Sequence, residues 1–317
     1  MEFGFYLPNN GPTAQPDALA EIARRGDELG FHSMVVGDHI LVPKKIDSPY
    51  PYTTSGEFPG GETGECLEQL TLLTFLAGIT QKIRLVPSVM IVPYRNPLLA
   101  AKMLATLDVL SKGRLTLGVG VGWMEEEFEA LDAPPFADRG EVTNEYLQIF
   151  KELWTNDNPS FHGKHYQLDN IHVQPAPYQK PAPPLWIGAS NPPGARRAGA
   201  LADGFVSTPS TGLTDTTALV DSYRDAASAA GKEANVILMR DAWVASSRAE
   251  AERVYGPEVM DAYKYYWKNG LPEFKSFKTE AELTLDNIAK DRLIMGDPEE
   301  CVSEFRRWSD ATGAEIG

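Results

Sequence analysis

A histidine beside an aspartate, Asp38-His39, closes the short apolar run Ser33–Val36 and Gly37. Imidazole changes charge near neutral pH and a carboxylate next to it tunes that change, so the pair can serve as a general acid or base. A second cluster lies in GVGVGW, where Gly118, Gly120 and Gly122 alternate at the end of the apolar run Leu115–Val119. Glycines at the carboxyl end of a strand let a flat group lie against bare backbone, or they only relieve crowding where strands meet. Trp123 follows them directly and offers an apolar wall for a substrate. Glu125, Glu126 and Glu127 come next and are expected in the first turn of a helix, solvated or capping, at the positive end of its dipole. GVGVG is no dinucleotide fingerprint, because the third glycine of G-x-G-x-x-G is missing.

Two further strand ends carry groups suited to an anion. Gly188-Ala189-Ser190 precedes a helix expected from Pro193, and backbone N–H groups at a helix start bind phosphate. Ser207-Thr208-Pro209 ends another strand, where Thr208 offers a hydroxyl. STPSTGLTD holds no Lys or Arg, so a compensating cation is sought in Arg196, Arg197 or beyond Gly317. His32, His162, His165 and His172 fall in turns or on a hairpin and are expected to be structural.

These groups need elements to position them. Apolar runs alternate with amphipathic ones from Phe3 onward: strands at Phe3–Leu7, Ser33–Val36, Arg84–Met90, Arg114–Val119, Leu185–Ile187, Phe205–Ser207 and Val236–Val244. Between them fall helices at Pro16–Leu29, Leu67–Gly78, Pro97–Leu110, Arg139–Trp154, Pro193–Leu201 and Asp215–Ala230. That rhythm predicts parallel strands with right-handed crossovers, an α/β TIM (β/α)8 barrel forming a single domain over 1–317. Three insertions interrupt it: a lid-like 40–65, a hairpin and proline-rich strap at 156–184, and a helical excursion at 249–291. Pro298–Ala311 reads as a capped helix with no strand after it, so the closing strand eight is expected to be absent from the chain, about one βα unit short.

The chain has 317 residues, 43% of them hydrophobic, enough for a large core. A net charge of −15 leaves no basic stripe for nucleic acid or an anionic membrane. Two cysteines far apart, Cys66 and Cys301, exclude a disulfide framework and a zinc pattern, and no metal is expected. MEFGFYLP enters a strand without a basic, apolar leader, and a cytoplasmic protein is expected.

GRLTLGVGVGWMEEEFEAL, FHGKHYQL with PYQKPAPPLWIGAS, and VVGDHI together resemble the luciferase-like monooxygenase superfamily. They are most similar to its deazaflavin (coenzyme F-420)-dependent branch. The resemblance runs in order from Phe3 to about Gly313. It implies a TIM barrel binding coenzyme F-420 or FMN in its mouth, hydride transfer or oxygen insertion on a small organic substrate, and a homodimer. It also implies that Asp38 and His39 lie near the reactive face of the cofactor. Ser88-Val89 would form a bulge, often with a cis peptide, behind the middle ring. Gly120 and Gly122 would face the ring or its tail, and Gly188, Ala189, Ser190 and Thr208 would hold the phosphate. Some family members place a catalytic Glu where this chain has Trp123. An aldolase or isomerase would need a buried Lys or a carboxylate–His metal cluster, and strands five to seven carry no Lys. A non-catalytic flavin-binding barrel is the other alternative. Helices Leu67–Gly78 and Pro97–Leu110 are apolar over more than one face, which predicts a two-fold dimer around them.

Overall fold

The computed structural model describes residues 2–11, 13–48, 64–268, 274 and 276–314. It divides into a first unit of residues 3–46 and 59–186 and a second made mainly of 187–317.

In the first unit β1 (Gly4–Tyr6), β2 (Ser33–Val36) and β3 (Arg84–Pro87) pair in parallel in that order. β4 (Met90–Ile91) pairs in parallel with β5 (Leu117–Gly120). Strand three is thus split at Ser88-Val89, whose peptide bond is cis. The crossovers are α1 (Pro16–Leu29), α2 (Gln69–Ile79) and α3 (Pro97–Leu110). α1 buries Leu19, Ala20 and Ala23 and stops at Gly30, which takes the left-handed φ of 82°. α3 starts at Pro97 behind Asn96, whose side chain accepts from the N–H of Leu98 and Leu99. After β5 come α4 (Glu125–Ala130) and α5 (Arg139–Thr155). β6 (Phe161–His162) and β7 (Gln167–Leu168) then form an antiparallel hairpin. The proline strap is pinned by Asp108, wholly buried, which accepts from Gln179 N–H and Nε2 at 2.8 Å each.

β8 (Leu185–Gly188) carries the chain into the second unit. There β9 (Gly204–Val206) and β10 (Val236–Ile237) pair in parallel, with α6 (Pro192–Leu201) and α7 (Leu213–Ala229) as crossovers. Strand seven is also split, because β10 and β11 (Ala242–Val244) flank Arg240. The excursion holds α8 (Arg248–Val254), α9 (Gly256–Lys268) and α10 (Leu285–Ala289) around Val259, Tyr263, Phe274 and Leu283.

One expectation is corrected. The strand thought absent lies inside the chain: β12 (Ile294–Gly296) pairs in parallel with β11 and leads into α11 (Pro298–Thr312). Its three residues are all buried, and Asp297 at once begins a capping box with Glu300. Among the described residues no helix is long and apolar enough to cross a membrane.

Candidate active site

The end of β2 is built around two buried carboxylates with separate tasks. Asp38 receives a bidentate Arg95 guanidinium at 2.7 and 2.9 Å and the N–H of Ile91 at 2.9 Å. Arg95 also reaches Glu68 at 2.6 Å. Burial opposes the Arg95 charge, but the two carboxylates outweigh it and raise its pKa. Glu68 is likewise pushed up by burial, yet bonds from Arg95 and Thr71 prevail and hold it below the ordinary carboxylate value. Asp38 therefore serves the guanidinium and the backbone of β4.

The partner of His39 is Glu127. Its side chain is completely buried, with Oε2 at 2.9 Å from His39 Nδ1. Oε1 accepts the N–H of Ile40 at 2.8 Å and of Leu41 at 3.2 Å. With donors filling Oε1, the acceptor Oε2 takes the proton of Nδ1, and the neutral ring then presents Nε2 as its acceptor. Glu127 was expected to be solvated or capping, and it is instead buried and bonded to His39, Ile40 and Leu41. A helical signal for this exists: Met124, Glu127 and Phe128 stand three and four residues apart on one face, and all are buried. Trp123 meets the His39 ring edge to face, with centroids 6.2 Å apart.

Apolar packing fixes this corner. Tyr94 and Phe128 meet edge to face at 5.0 Å, within a cluster that includes Ile91 and Val89. Burial, and then the Glu127 charge, raise the Tyr94 phenol pKa; its hydroxyl makes no hydrogen bond of acceptable geometry. Arg139 stacks 3.9 Å from the Phe136 ring and donates to the carbonyl of Gly122 at 3.2 Å.

The glycines make room for protein here. A Cβ on Gly118 would sit 2.7 Å from the Pro87 carbonyl, and one on Gly120 would sit 2.7 Å from Val89 Cγ2. β5 can thus lie close against the Ser88-Val89 segment. Gly122 takes a φ of 85°, and its Cβ would meet Ile91 and Phe128 at 2.8 Å.

Asn9 ties both roots of the 40–65 insertion to β1, donating to the carbonyls of Gly37 at 3.1 Å and Leu67 at 3.0 Å. It also lies 3.2 Å from Cys66 Sγ. Burial pushes the Cys66 thiol up to about 11, and the charges of Asp38, Glu127 and Glu68 add to this against an N–H from His39. At neutral pH it is a thiol, not a nucleophile. Residues 49–63 of the insertion, with Tyr50 and Tyr52, lie outside the described residues.

In the second unit Asn191 caps α6 by accepting the N–H of Gly194 at 2.9 Å, directly after Gly188, Ala189 and the exposed Ser190. Thr208 Oγ1 lies 2.6 Å from Thr211 Oγ1. STPSTGLTD is held by a cation from the split strand seven. Arg240 donates to the carbonyls of Thr208, Pro209 and Thr211 and to the hydroxyls of Ser207 and Thr216. Tyr263 is buried and donates to Asp241 at 2.9 Å.

Known proteins share this architecture. The solved monooxygenase RslO1 from Streptomyces bottropensis superposes with a TM-score of 0.79 at 23% identity, covering 100% of this chain and 91% of its own. The FMN complex of the oxygenating constituent of 3,6-diketocamphane monooxygenase from Pseudomonas putida gives 0.77 at 18% identity, covering 99% and 89%. By sequence, an F420-dependent glucose-6-phosphate dehydrogenase of Amycolatopsis mediterranei is 29% identical over 309 residues, 93% of this chain and 86% of the relative. The luciferase-like monooxygenase family model matches residues 1–315. With this fold and a match of that extent, the chain belongs to the luciferase-like monooxygenase family.

Proposed function

We propose that the protein is an oxidoreductase that uses coenzyme F-420 or FMN on a small organic substrate, with His39 moving the proton. The observation that carries this is the His39–Glu127 contact of 2.9 Å at the end of β2. A buried carboxylate behind an imidazole fixes the ring's tautomer and orientation, which is what a general acid or base needs. Asp38 contributes by locking Arg95 and the start of β4, so it positions the corner without receiving the proton itself. Trp123 supplies an apolar wall next to His39.

The residues fit a phosphorylated flavin or deazaflavin. Ser210, 3% exposed, has an Oγ without a partner, in a loop of hydroxyls and backbone donors suited to a phosphate. Ser88, Val89, Gly120 and Gly122 are assigned to the ring, with Gly188, Ala189, Ser190 and Thr208 assigned to the phosphate. When bound, the cofactor supplies the hydride, or the electrons for oxygen insertion. We further propose a cytoplasmic homodimer formed through α2 and α3, where Phe75 is 45% and Leu99 56% exposed. Light scattering should then give about twice the 34.8 kDa chain mass, and a monomer at micromolar concentration removes this part.

Titration of the purified protein with FMN and coenzyme F-420, oxidised and reduced, tests the main reading. His39→Ala should lower turnover by about 10²-fold with cofactor affinity little changed. Failure of both cofactors to bind refutes the oxidoreductase, and unchanged turnover refutes the role of His39.

A further inference from the structure

Tyr6, the last residue of β1, has surroundings that packing alone does not explain. The face it takes is set by its neighbour Phe5, which lies over Gly26 of α1 and meets Phe31 edge to face, with centroids 5.2 Å apart. Successive side chains of a strand point to opposite faces, so Tyr6 projects away from α1. Its pairing partner Val35 shares that face, and Gly37 follows two residues on. Leu7 and Val36 beside it are fully buried, yet Tyr6 is 51% exposed. The carboxyl ends of parallel strands are where α/β folds place their sites.

The hydroxyl rests over Gly37, where a Cβ would sit 2.8 Å from the phenol oxygen. Burial and then Cys66 raise the phenol pKa, while the N–H of Gly37 acts downward. A ring that is half open and still desolvated lines a concavity, not an outer surface. The phenol keeps its proton at neutral pH, so it is a donor there and not a base. The Gly37 carbonyl already accepts Asn9 Nδ2 at 3.1 Å, and among the described residues the Tyr6 hydroxyl donates to no acceptor. His39 is two residues beyond Gly37, and its N–H faces the same Cys66 that borders Tyr6.

We infer that Tyr6 contacts the substrate of the His39 site, its hydroxyl donating to a substrate oxygen and its ring facing the carbon skeleton. The substrate class is therefore a carbonyl compound or an alcohol. This rests on the oxidoreductase reading above and deepens it. Tyr6 supplies a donor and His39 Nε2 an acceptor. An alcohol oxygen matches both, and a carbonyl oxygen matches the donor.

The test uses two probes of one shape, cyclohexanone and methylenecyclohexane, which differ only in the oxygen. Their affinities for wild type, Tyr6→Phe and Gly37→Ala are read by ligand-observed NMR, with the protein free and after addition of FMN or coenzyme F-420. Tyr6→Phe removes the hydroxyl alone and should lower the ratio of ketone to hydrocarbon affinity by about fivefold, with hydrocarbon affinity unchanged. Gly37→Ala keeps the hydroxyl but puts a Cβ against it, and should lower the same ratio by a few-fold. That second variant gives an independent reading if Tyr6→Phe does not fold. An unchanged ratio in the variants, an equal fall for both probes, or no binding of either probe overturns the inference. If the ratio falls as expected while neither FMN nor coenzyme F-420 binds, the role of Tyr6 stands and the oxidoreductase reading fails. If cofactor binds and His39→Ala loses turnover while the ratio stays put, that reading stands and the role of Tyr6 fails.

Discussion

Replacing Glu127 by glutamine tests the centre of the site with almost no change of shape. The N–H groups of Ile40 and Leu41 both point at Oε1. The amide oxygen must stay there, or two buried donors lose their acceptor. That leaves the amide nitrogen facing His39 Nδ1, where the carboxylate oxygen stood at 2.9 Å. The imidazole must then accept at Nδ1 and carry its proton on Nε2, the reverse of its native tautomer. Hydrogen bonds to a charged acceptor contribute about 1.5–3 kcal/mol and neutral ones about 0.5–1.5, so weakening the two at Oε1 costs about 2 kcal/mol. Glu127→Ala orphans both donors and opens a cavity, and should cost about 3–5 kcal/mol. In chemistry, the wrong tautomer and the lost carboxylate should lower kcat by about 10²–10⁴-fold with the KM for cofactor nearly unchanged. Denaturant melts of the three proteins, with turnover of the reconstituted enzyme, read both quantities. Wild-type turnover in a folded Glu127→Gln variant would refute proton transfer through His39. Wild-type stability of Glu127→Ala would refute the carboxylate as anchor of Ile40 and Leu41.

Other perturbations should give distinct results. Asp38→Asn breaks the bidentate bond to Arg95 and leaves the guanidinium with Glu68 alone, so stability should fall by about 3–5 kcal/mol in denaturant melts; a loss under about 1 kcal/mol contradicts the pairing. Gly122→Ala adds a Cβ at a φ of 85° against Ile91 and Phe128 and should lower stability by about 1–3 kcal/mol, whereas a neutral melt would mean that β5 yields there. At Asp27 burial acts upward, but the N–H groups of Gln81, Ile83 and Lys82 prevail and hold the carboxyl below its ordinary value. A depressed carboxylate stabilises above its unfolded pKa and loses that contribution as pH falls through the folded one. The stability gap between wild type and Asp27→Asn, about 1 kcal/mol at pH 7, should therefore close between about pH 5 and pH 3. A constant gap over that range contradicts the assignment.

The parallel β-α rhythm, the hairpin and the starts of most helices were legible because each has a local cause. Pro97 behind Asn96, Gly30 after Leu29 and the capping box at Asp297 mark boundaries without reference to the rest of the chain. β12 escaped because Ile294–Gly296 is three residues long and fully buried, so no alternation separates it from the end of α10. Its partner, Ala242–Val244, is about 50 residues away, and nothing local announces that pairing. The same limit hid Asp38–Arg95, 57 residues apart, and His39–Glu127, 88 apart. Residue type also misled at Arg95 and Glu127: charged groups are rarely buried, and each here is held by partners that only the fold supplies. Ser88-Val89 and its cis bond were located through resemblance to a family, not through propensity.

Asn9 joins Gly37 to Leu67, Glu127 holds Ile40 and Leu41, and Arg95 holds Glu68, so both feet of the insertion are fastened to the scaffold. The chain between Leu41 and Cys66 leaves and returns at fixed points, and its length enters the folding free energy only as a logarithm. Halving or doubling it changes the closure cost by about 0.6 kcal/mol, less than one of the hydrogen bonds at its feet. Evolution, or an engineer, can exchange that segment as a cassette while the bonds at its two feet stay as they are.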